Sequence, residues 1–590
     1  MTKKQSHCLS ICMILGLLLV DDIQLWAAAG DGEEATVVEN RGKRRIKRGG
    51  AQPTEPSAAE KLPTPPLNMA PIAVPTQSPL PSLAEPQQGE PLSVMQRLLV
   101  REVRIEGNTV LSDVEAQALV APWLNRELAI EDLLQLKDEV TRWYVERGYV
   151  TSGATLPDQQ VSDGVIRLQV VEGVLSDVEI SGNTNLRSRY ISERLPSSPQ
   201  QVLNIRDLEE QFQILRQKEM IEQLHAELRP GPTLGQAVMA VRVEERRPWQ
   251  VWAGYNNQGS PNMGAQRLSV GATHRSVLGW GDQLEGEVLH SKGEDHYAVS
   301  YTMPLVGLGL PDSALFLKSG HSGSSVVVTP FDAINISGNS RTHAMGLRHA
   351  LWKTTADEAL LSLSFQHRDS QTFLMGAPYR FTPSDPEART IINSLNFAQE
   401  WHHRDQQQAL SLLSTFSKGV PNESGSRFWA WLGQAQWARQ LPFLTSSLLT
   451  RLAYRWASEP MVATEKFTLG GMNTVRGYRE GLVSRDRGVL ANFEWRVPTP
   501  LKLPVPFISD PNNDGALTVA LFSDMGKNWD KGQKHADLPN LASVGVGLLW
   551  DINRDSNVAI YFAEAMRNVH HNNEDIQDRG VHFRLTVAPF

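Results

Sequence analysis

The sequence predicts a transmembrane β-barrel of about sixteen antiparallel strands, preceded by two small α+β domains of β-α-α-β-β order. Three observations carry that prediction. A secretory leader opens the chain, a β-α-α-β-β pattern occurs twice between residues 98 and 247, and residues 248–590 alternate apolar and polar side chains in short segments.

Residues 1–29 read as a cleaved signal. Lys3 and Lys4 precede an almost wholly apolar run from 8 to 20, and Ala27-Ala28-Ala29 offers a small-residue cleavage site. Asp21 and Asp22 end the run short of the roughly 17 to 25 apolar residues that a membrane anchor needs. Both cysteines, Cys8 and Cys12, lie inside this leader, so the mature chain has no disulfide framework and no thiolate metal site. The bulky Ile11 argues against a lipid-anchored Cys12.

Residues 30–97 are rich in Pro, Ala, Glu and Gln. Prolines such as Pro63, Pro65 and Pro66 allow no helix or strand beyond a turn or two, so this stretch reads as a semi-rigid tether. Its one basic cluster, residues 41–48, reads as a solvated tail, the sharper alternative being contact with acidic lipid headgroups or an acidic cargo. A net charge of -8 gives no basis for nucleic acid as a partner.

Order begins at Leu98, and the first domain is placed at 98–173. Residues 100–106 read as a strand and Gly107-Asn108 as a turn. Ser112 and Glu115 have capping-box spacing at the start of a short helix. Leu133, Leu134, Leu136, Val140, Trp143 and Tyr144 give helical periodicity to residues 130–147, which Gly148 terminates. Strands near 150–156 and 165–172 close the unit. The pattern then repeats over 174–247. Val103-Arg-Ile-Glu-Gly-Asn-Thr109 returns 75 residues later as Val178-Glu-Ile-Ser-Gly-Asn-Thr184, followed by helices at 187–195 and 205–217 and strands near 221–228 and 238–244.

From 248 onward no amphipathic helix is apparent. Leu452, Tyr454 and Trp456 share one strand face while Arg451, Ala453 and Arg455 take the other. Ala491, Phe493 and Trp495 likewise oppose Asn492, Glu494 and Arg496. Such alternation also fits a soluble β-sandwich. Three features favour a membrane barrel: charged residues on the polar faces, Trp and Tyr at strand ends, and a final alternating strand, 581–590, that closes on the aromatic Phe590. Phe590 falls out of phase with Val581, Phe583, Leu585 and Val587, and Pro589 is read as a break that restores the phase.

The strongest motif is Gly470-Gly471-Met-Asn-Thr-Val475-Arg476-Gly477-Tyr478. Glycines on both sides of one arginine build a sharply bent loop whose guanidinium, inside a lumen, needs an acidic partner. Phe522-Ser-Asp524-Met-Gly526 supplies one, since alternation turns Asp524 inward, as it does Glu494.

On these motifs the chain resembles the transporters of two-partner secretion systems, the ShlB/FhaC/HecB (TpsB-type) group of the outer-membrane assembly superfamily. The resemblance spans 98–590. It implies that the two repeats are periplasmic polypeptide-transport-associated (POTRA) domains and that the barrel has sixteen strands. It implies further that the Val475–Tyr478 tetrapeptide tips a long loop folded into the pore, with Arg476 paired to Asp524 of the F-x-D-x-G strand. Relatives with a pore-plugging helix depart from this chain, where only residues 54–62 offer a short helix and no well-formed plug is expected.

The implied function is an outer-membrane pore that secretes a partner exoprotein (TpsA-like) recognised by the POTRA domains, without ATP. The alternative is a barrel-assembly insertase. A passive porin would need no repeated periplasmic units. The expected partners are that exoprotein, outer-membrane lipids, and the barrel assembly machinery, reached through the C-terminal strand. The fifteen histidines show no metal-site spacing, no G-x-S-x-G elbow is present, and neither an enzyme nor a cofactor is expected.

Overall fold

The computed structural model describes residues 97–588, apart from positions 158, 160, 162, 196–200, 381–387, 422–426, 511–513, 533–539, 570 and 572–574. The leader, nearly all of the tether, the segment 54–62, Pro589 and Phe590 lie outside the described residues.

The first periplasmic unit comprises β1 (Leu98–Val100), β2 (Glu102–Glu106), α1 (Asp113–Val120), β3 (Arg126–Leu128), α2 (Ile130–Glu146), β4 (Gly153–Thr155) and β5 (Val165–Val171). β2 runs parallel and β4 antiparallel to the central β5, while β1 pairs with β3 in a separate ribbon. The single strand expected over 100–106 is therefore two strands. The break falls at Arg101, where the N–H groups of Arg101 and Glu102 both donate to the Gly164 carbonyl, at 2.8 and 3.3 Å, and interrupt any continuous ladder. Ser112 and Glu115 form the capping box at the start of α1. Along α2, Leu133, Leu136, Val140, Trp143 and Tyr144 are buried on one face, and Gly148, at φ +97°, reverses the chain beyond it.

The second unit comprises β6 (Val174–Ser181), α3 (Ser188–Ser192), α4 (Ile205–Arg216), β7 (Ile221–Pro230) and β8 (Gln236–Glu245), with sheet order β6-β8-β7. α3 is shorter than the expected 187–195. Beyond it, Arg194 and Leu195 turn to three-residue hydrogen bonds with Ile191 and Ser192, as suits a chain approaching Pro196.

The repeated Gly-Asn-Thr turn does the same physical work twice. Gly107 and Gly182 sit at φ +82° and +81°, and in each case an added Cβ would strike a backbone carbonyl of the unit's last strand, Val170 or Val243. Asn108 and Asn183 each donate a side-chain N–H to a carbonyl three residues on, Leu111 at 2.9 Å and Leu186 at 2.7 Å. A glutamate from the end of the sheet then accepts the free N–H groups of the turn. Glu172 takes Thr109 and Val110; Glu245 takes Asn185 and Leu186.

Residues 249–587 close into a barrel of sixteen antiparallel strands. The first strand, Trp249–Asn256, pairs with the last, Val581–Val587, so no edge faces lipid. Leu452, Tyr454 and Trp456 are exposed on the outer face of Ser447–Ala457, as are Val544, Val546 and Leu548 on Leu541–Asp551. Among the described residues no helix is long and apolar enough to cross a membrane. The second unit packs directly on the barrel's near rim. Val306 and Trp280, from two barrel turns, join the core of Tyr190, Ile191 and Leu215, and Arg187 donates to the carbonyls of Gly279 and Leu278 at 2.9 Å each.

The inward-folded loop as candidate functional site

The first barrel strand follows β8 directly, so each odd-numbered strand runs away from the periplasmic units. The connection between the eleventh and twelfth strands, Ser447–Ala457 and Arg487–Lys502, therefore starts on the far side. It doubles back as a hairpin, Phe467–Leu469 against Val483–Arg485, whose two strands are pinned when Asn528 donates to the Phe467 and Val483 carbonyls at 3.0 Å each. The Gly470–Tyr478 tip then lies against the lumen wall. Gly470, Gly471 and Gly477 occupy φ of +107°, +105° and +86°, backbone conformations that side chains disfavour.

At the tip, Arg476 is 5% exposed. Its Nε and one terminal nitrogen grip Asp524 in a fork, at 2.7 and 2.8 Å, and its other terminal nitrogen meets Glu494 at 2.5 Å. Its backbone N–H also donates to Asp524, at 3.0 Å. The guanidinium carbon stands 3.5 Å from the centre of the Phe522 ring and 4.7 Å from that of Tyr561, so the cation is both paired and stacked. Strand alternation explains the F-x-D-x-G spacing. Phe522, Asp524 and Gly526 all face inward on Ala516–Trp529, and a Cβ on Gly526 would press on Leu469 and Val475 at 3.0 Å. Val475 and Tyr478 pack with Leu469, Leu490 and Leu541. The Tyr478 hydroxyl donates to the Ala542 carbonyl at 3.0 Å.

Asp524 and Glu494 are each shared. Asn492 donates to Asp524 at 2.8 Å and to the Thr474 carbonyl, while Arg496 holds the other oxygen of Glu494 at 2.6 Å. Each buried carboxylate thus meets a guanidinium and a second donor, the matching that burial of such groups requires. The arrangement holds a loop in place. Among the described residues no cluster of His, Asp or Glu has metal-binding geometry.

The structure brings Arg476, Asp524, Glu494, Phe522, Gly526, Val475, Gly477 and Tyr478 into one locus, whereas Phe590 lies outside the described residues. Sequence reasoning missed the rest of the clasp. His582 of the last strand is fully buried and its Nε2 accepts the Gly477 N–H at 2.9 Å. Arg479 forks onto Asp578 at 2.6 and 2.5 Å, and the Glu480 N–H donates to Gln577 at 2.8 Å. Gln577 in turn donates to the Asn257 and Gly259 carbonyls at 2.6 and 2.9 Å, tying the loop to the first strand's end. The charged Arg479 and Asp578 were visible as residues, but nothing local linked positions 99 apart.

The family model for the haemolysin secretion/activation proteins ShlB/FhaC/HecB matches residues 235–549, more than half of the chain. The chain belongs to that family. Its first periplasmic unit, residues 98–173, matches the ShlB-type POTRA domain. The Outer membrane transporter CdiB of Dickeya dadantii is 24% identical over 423 residues, 68% of this chain and 73% of that protein. The Heme/hemopexin transporter protein HuxB of Haemophilus influenzae is 22% identical over 465 residues, 74% of this chain and 77% of the other. Among solved structures, CdiB from Escherichia coli superposes with a TM-score of 0.62 at 21% identity, covering 86% of this chain and 92% of that one, a likeness of fold. As a member of this family the chain is a two-partner-secretion barrel of the Gram-negative outer membrane, with its POTRA units in the periplasm.

Proposed function

We propose that this chain is the translocation pore for a secreted partner protein, which its POTRA units recognise and its barrel passes outward without ATP. The single observation that carries the reading is the Arg476 clasp. A charged loop tip is fastened inside the lumen by hydrogen bonds that each involve a side chain rather than by a backbone ladder, an arrangement suited to a pore element that is held in one position and released into another. Recognition is by strand addition. β2 and β4 in the first unit, and β7 and, past its single bridge from Val174 to Val202, β6 in the second, each have a strand neighbour on one side only, and an extended segment completes such an edge through backbone hydrogen bonds with little demand on sequence. Folding of the cargo outside draws the chain through.

The domain limits belong to the same reading: signal 1–29, tether 30–97, POTRA units 98–173 and 174–247, barrel 248–590. So does engagement of the barrel assembly machinery by the C-terminal strand and the Phe590 beyond it in sequence. The relatives' names cite both haem/haemopexin and haemolysin transport, so the proposal extends to a partner exoprotein and not to its kind. Deleting the gene and comparing secreted proteins tests the proposal. Loss of one secreted species with other barrels intact supports it; broad loss of outer-membrane barrels supports an insertase and overturns it.

A further inference from the structure

One sector of the lipid-facing wall breaks the apolar pattern. Cross-strand pairing across Glu294–Pro304, Ser313–Ser325, Ile336–Lys353, Asp357–Leu374 and Arg389–Arg404 sets the outward side chains in rows. One row is Tyr301, Leu317, Met345, Phe365 and Leu395. The row directly above it, toward the extracellular end, is Val299, Ser319, His343, His367 and Asn393, and in the next Tyr297 and Ile391 flank His321, Arg341 and Asp369. Hydrocarbon gives way to cationic and polar groups within two rows.

These groups have donors to spare. Asp369, which faces Arg341 across the ladder, is already gripped by Arg389 at 2.8 and 2.7 Å. The exposed Arg341 makes no hydrogen bond among the described residues; its electrostatic neighbour is Asp369, whose two oxygens Arg389 already holds. His343 and His367 each use Nδ1, on Ser319 at 3.0 Å and on Asn393 at 2.7 Å, and Nε2 of each has no protein partner among the described residues. Nearby, Lys418 lies 5.0 Å from the Trp429 ring, the pairing of cation and indole that suits a headgroup boundary. Immediately beneath, a groove of about 400 Å³ runs between Val299, Leu317, Met345 and Phe365, with His343 and His367 at its edge. An arginine with no hydrogen-bond acceptor of its own on a lipid-facing wall is penalised in proportion to its depth, and an anion in the headgroup layer offsets that penalty.

We propose that this sector binds a phosphorylated acyl lipid of the outer leaflet. One acyl chain lies in the groove, and the phosphate is met by Arg341, His343 and His367. The charge complementarity and the continuous step from apolar groove to cationic rim select such a lipid over a zwitterionic one.

The test is native mass spectrometry of the full-length protein in detergent, titrated separately with phosphorylated lipid A, dephosphorylated lipid A and phosphatidylethanolamine. The phosphorylated form is expected to bind about tenfold more tightly than the dephosphorylated one. Arg341→Gln/His343→Gln/His367→Gln should abolish that preference while keeping the heat-modifiable migration of a folded barrel. Arg341→Gln alone is the fallback if the triple variant does not fold, and should weaken the preference. Met345→Trp, which fills the groove, should lower binding of both lipid A forms. Equal binding of the two forms by the parent protein, or an unchanged preference in a folded Arg341→Gln, overturns the proposal.

Discussion

Replacing Arg476 by Ala is the most searching perturbation of the clasp. It removes four contacts at once: the fork onto Asp524, the bond to Glu494, and the stacking on Phe522 and Tyr561. It leaves Asp524, at 0% exposure, and Glu494, at 5%, without the guanidinium that joined them. Breaking a buried pair by removing one partner costs about 3 to 5 kcal/mol. Here the lower end applies, because Asp524 keeps the Arg476 N–H and Asn492, and Glu494 keeps Arg496. A loss of about 3 kcal/mol shifts the ratio of clasped to released loop by roughly a hundredfold. The barrel ladder does not pass through this side chain, so the barrel should still fold. Two assays read the outcome in the same cells: export of the partner protein, and cleavage of the 470–480 segment by protease added outside. Export should be lost and cleavage should appear. Arg476→Lys should fall between, since an ammonium supplies charge without the planar fork. Normal export together with a protease-resistant loop in Arg476→Ala would show that the clasp does not hold the loop.

Other perturbations probe separate parts of the structure. Gly477→Ala places a side chain at φ +86° against Ala563, about 1 to 2 kcal/mol of strain, and should raise external protease sensitivity of the loop less than Arg476→Ala does. Burial opposes ionisation of Glu172, but hydrogen bonds from Thr109, Val110 and Tyr144 outweigh it and hold the carboxyl below the usual range. The stability it contributes is therefore complete above about pH 4.5 and is lost as pH falls through the lower folded value. Protection of the 107–112 amides, taken relative to the intrinsic exchange rate at each pH, should fall on acidification, and Glu172→Gln should remove that pH dependence. Trp280→Ala strips the half-buried indole that joins the second POTRA core, a loss of about 2 kcal/mol, and should raise amide exchange in α3 while leaving the barrel strands unchanged.

Much of this architecture is legible in the sequence because strand alternation and helix periodicity are local. Leu452, Tyr454 and Trp456 announce an outer face without any knowledge of their neighbours. The inward aim of Asp524 and Glu494 follows from parity alone, and the Gly-Asn-Thr turn is legible because it occurs twice. What stays hidden depends on closure. His582 reaches Gly477 only because the last strand returns to the first, and Gln577 bridges to Asn257 for the same reason. The ribbon of β1 and β3 is also hidden, because the three residues of each strand are too few to show a period. Trp280 and Val306 read as ordinary barrel turns, and only the docking of the second POTRA unit makes them core residues.

The proposed function stands or falls on whether a polypeptide passes through the lumen. A photoactivatable crosslinker placed at Arg455, on the inner face, and separately at Leu452, on the outer face of the same strand, tests it in secreting cells. A secreted protein should be captured from position 455 and not from 452. Capture from 452 alone, or from neither position while secretion continues, would mean that the cargo takes another route.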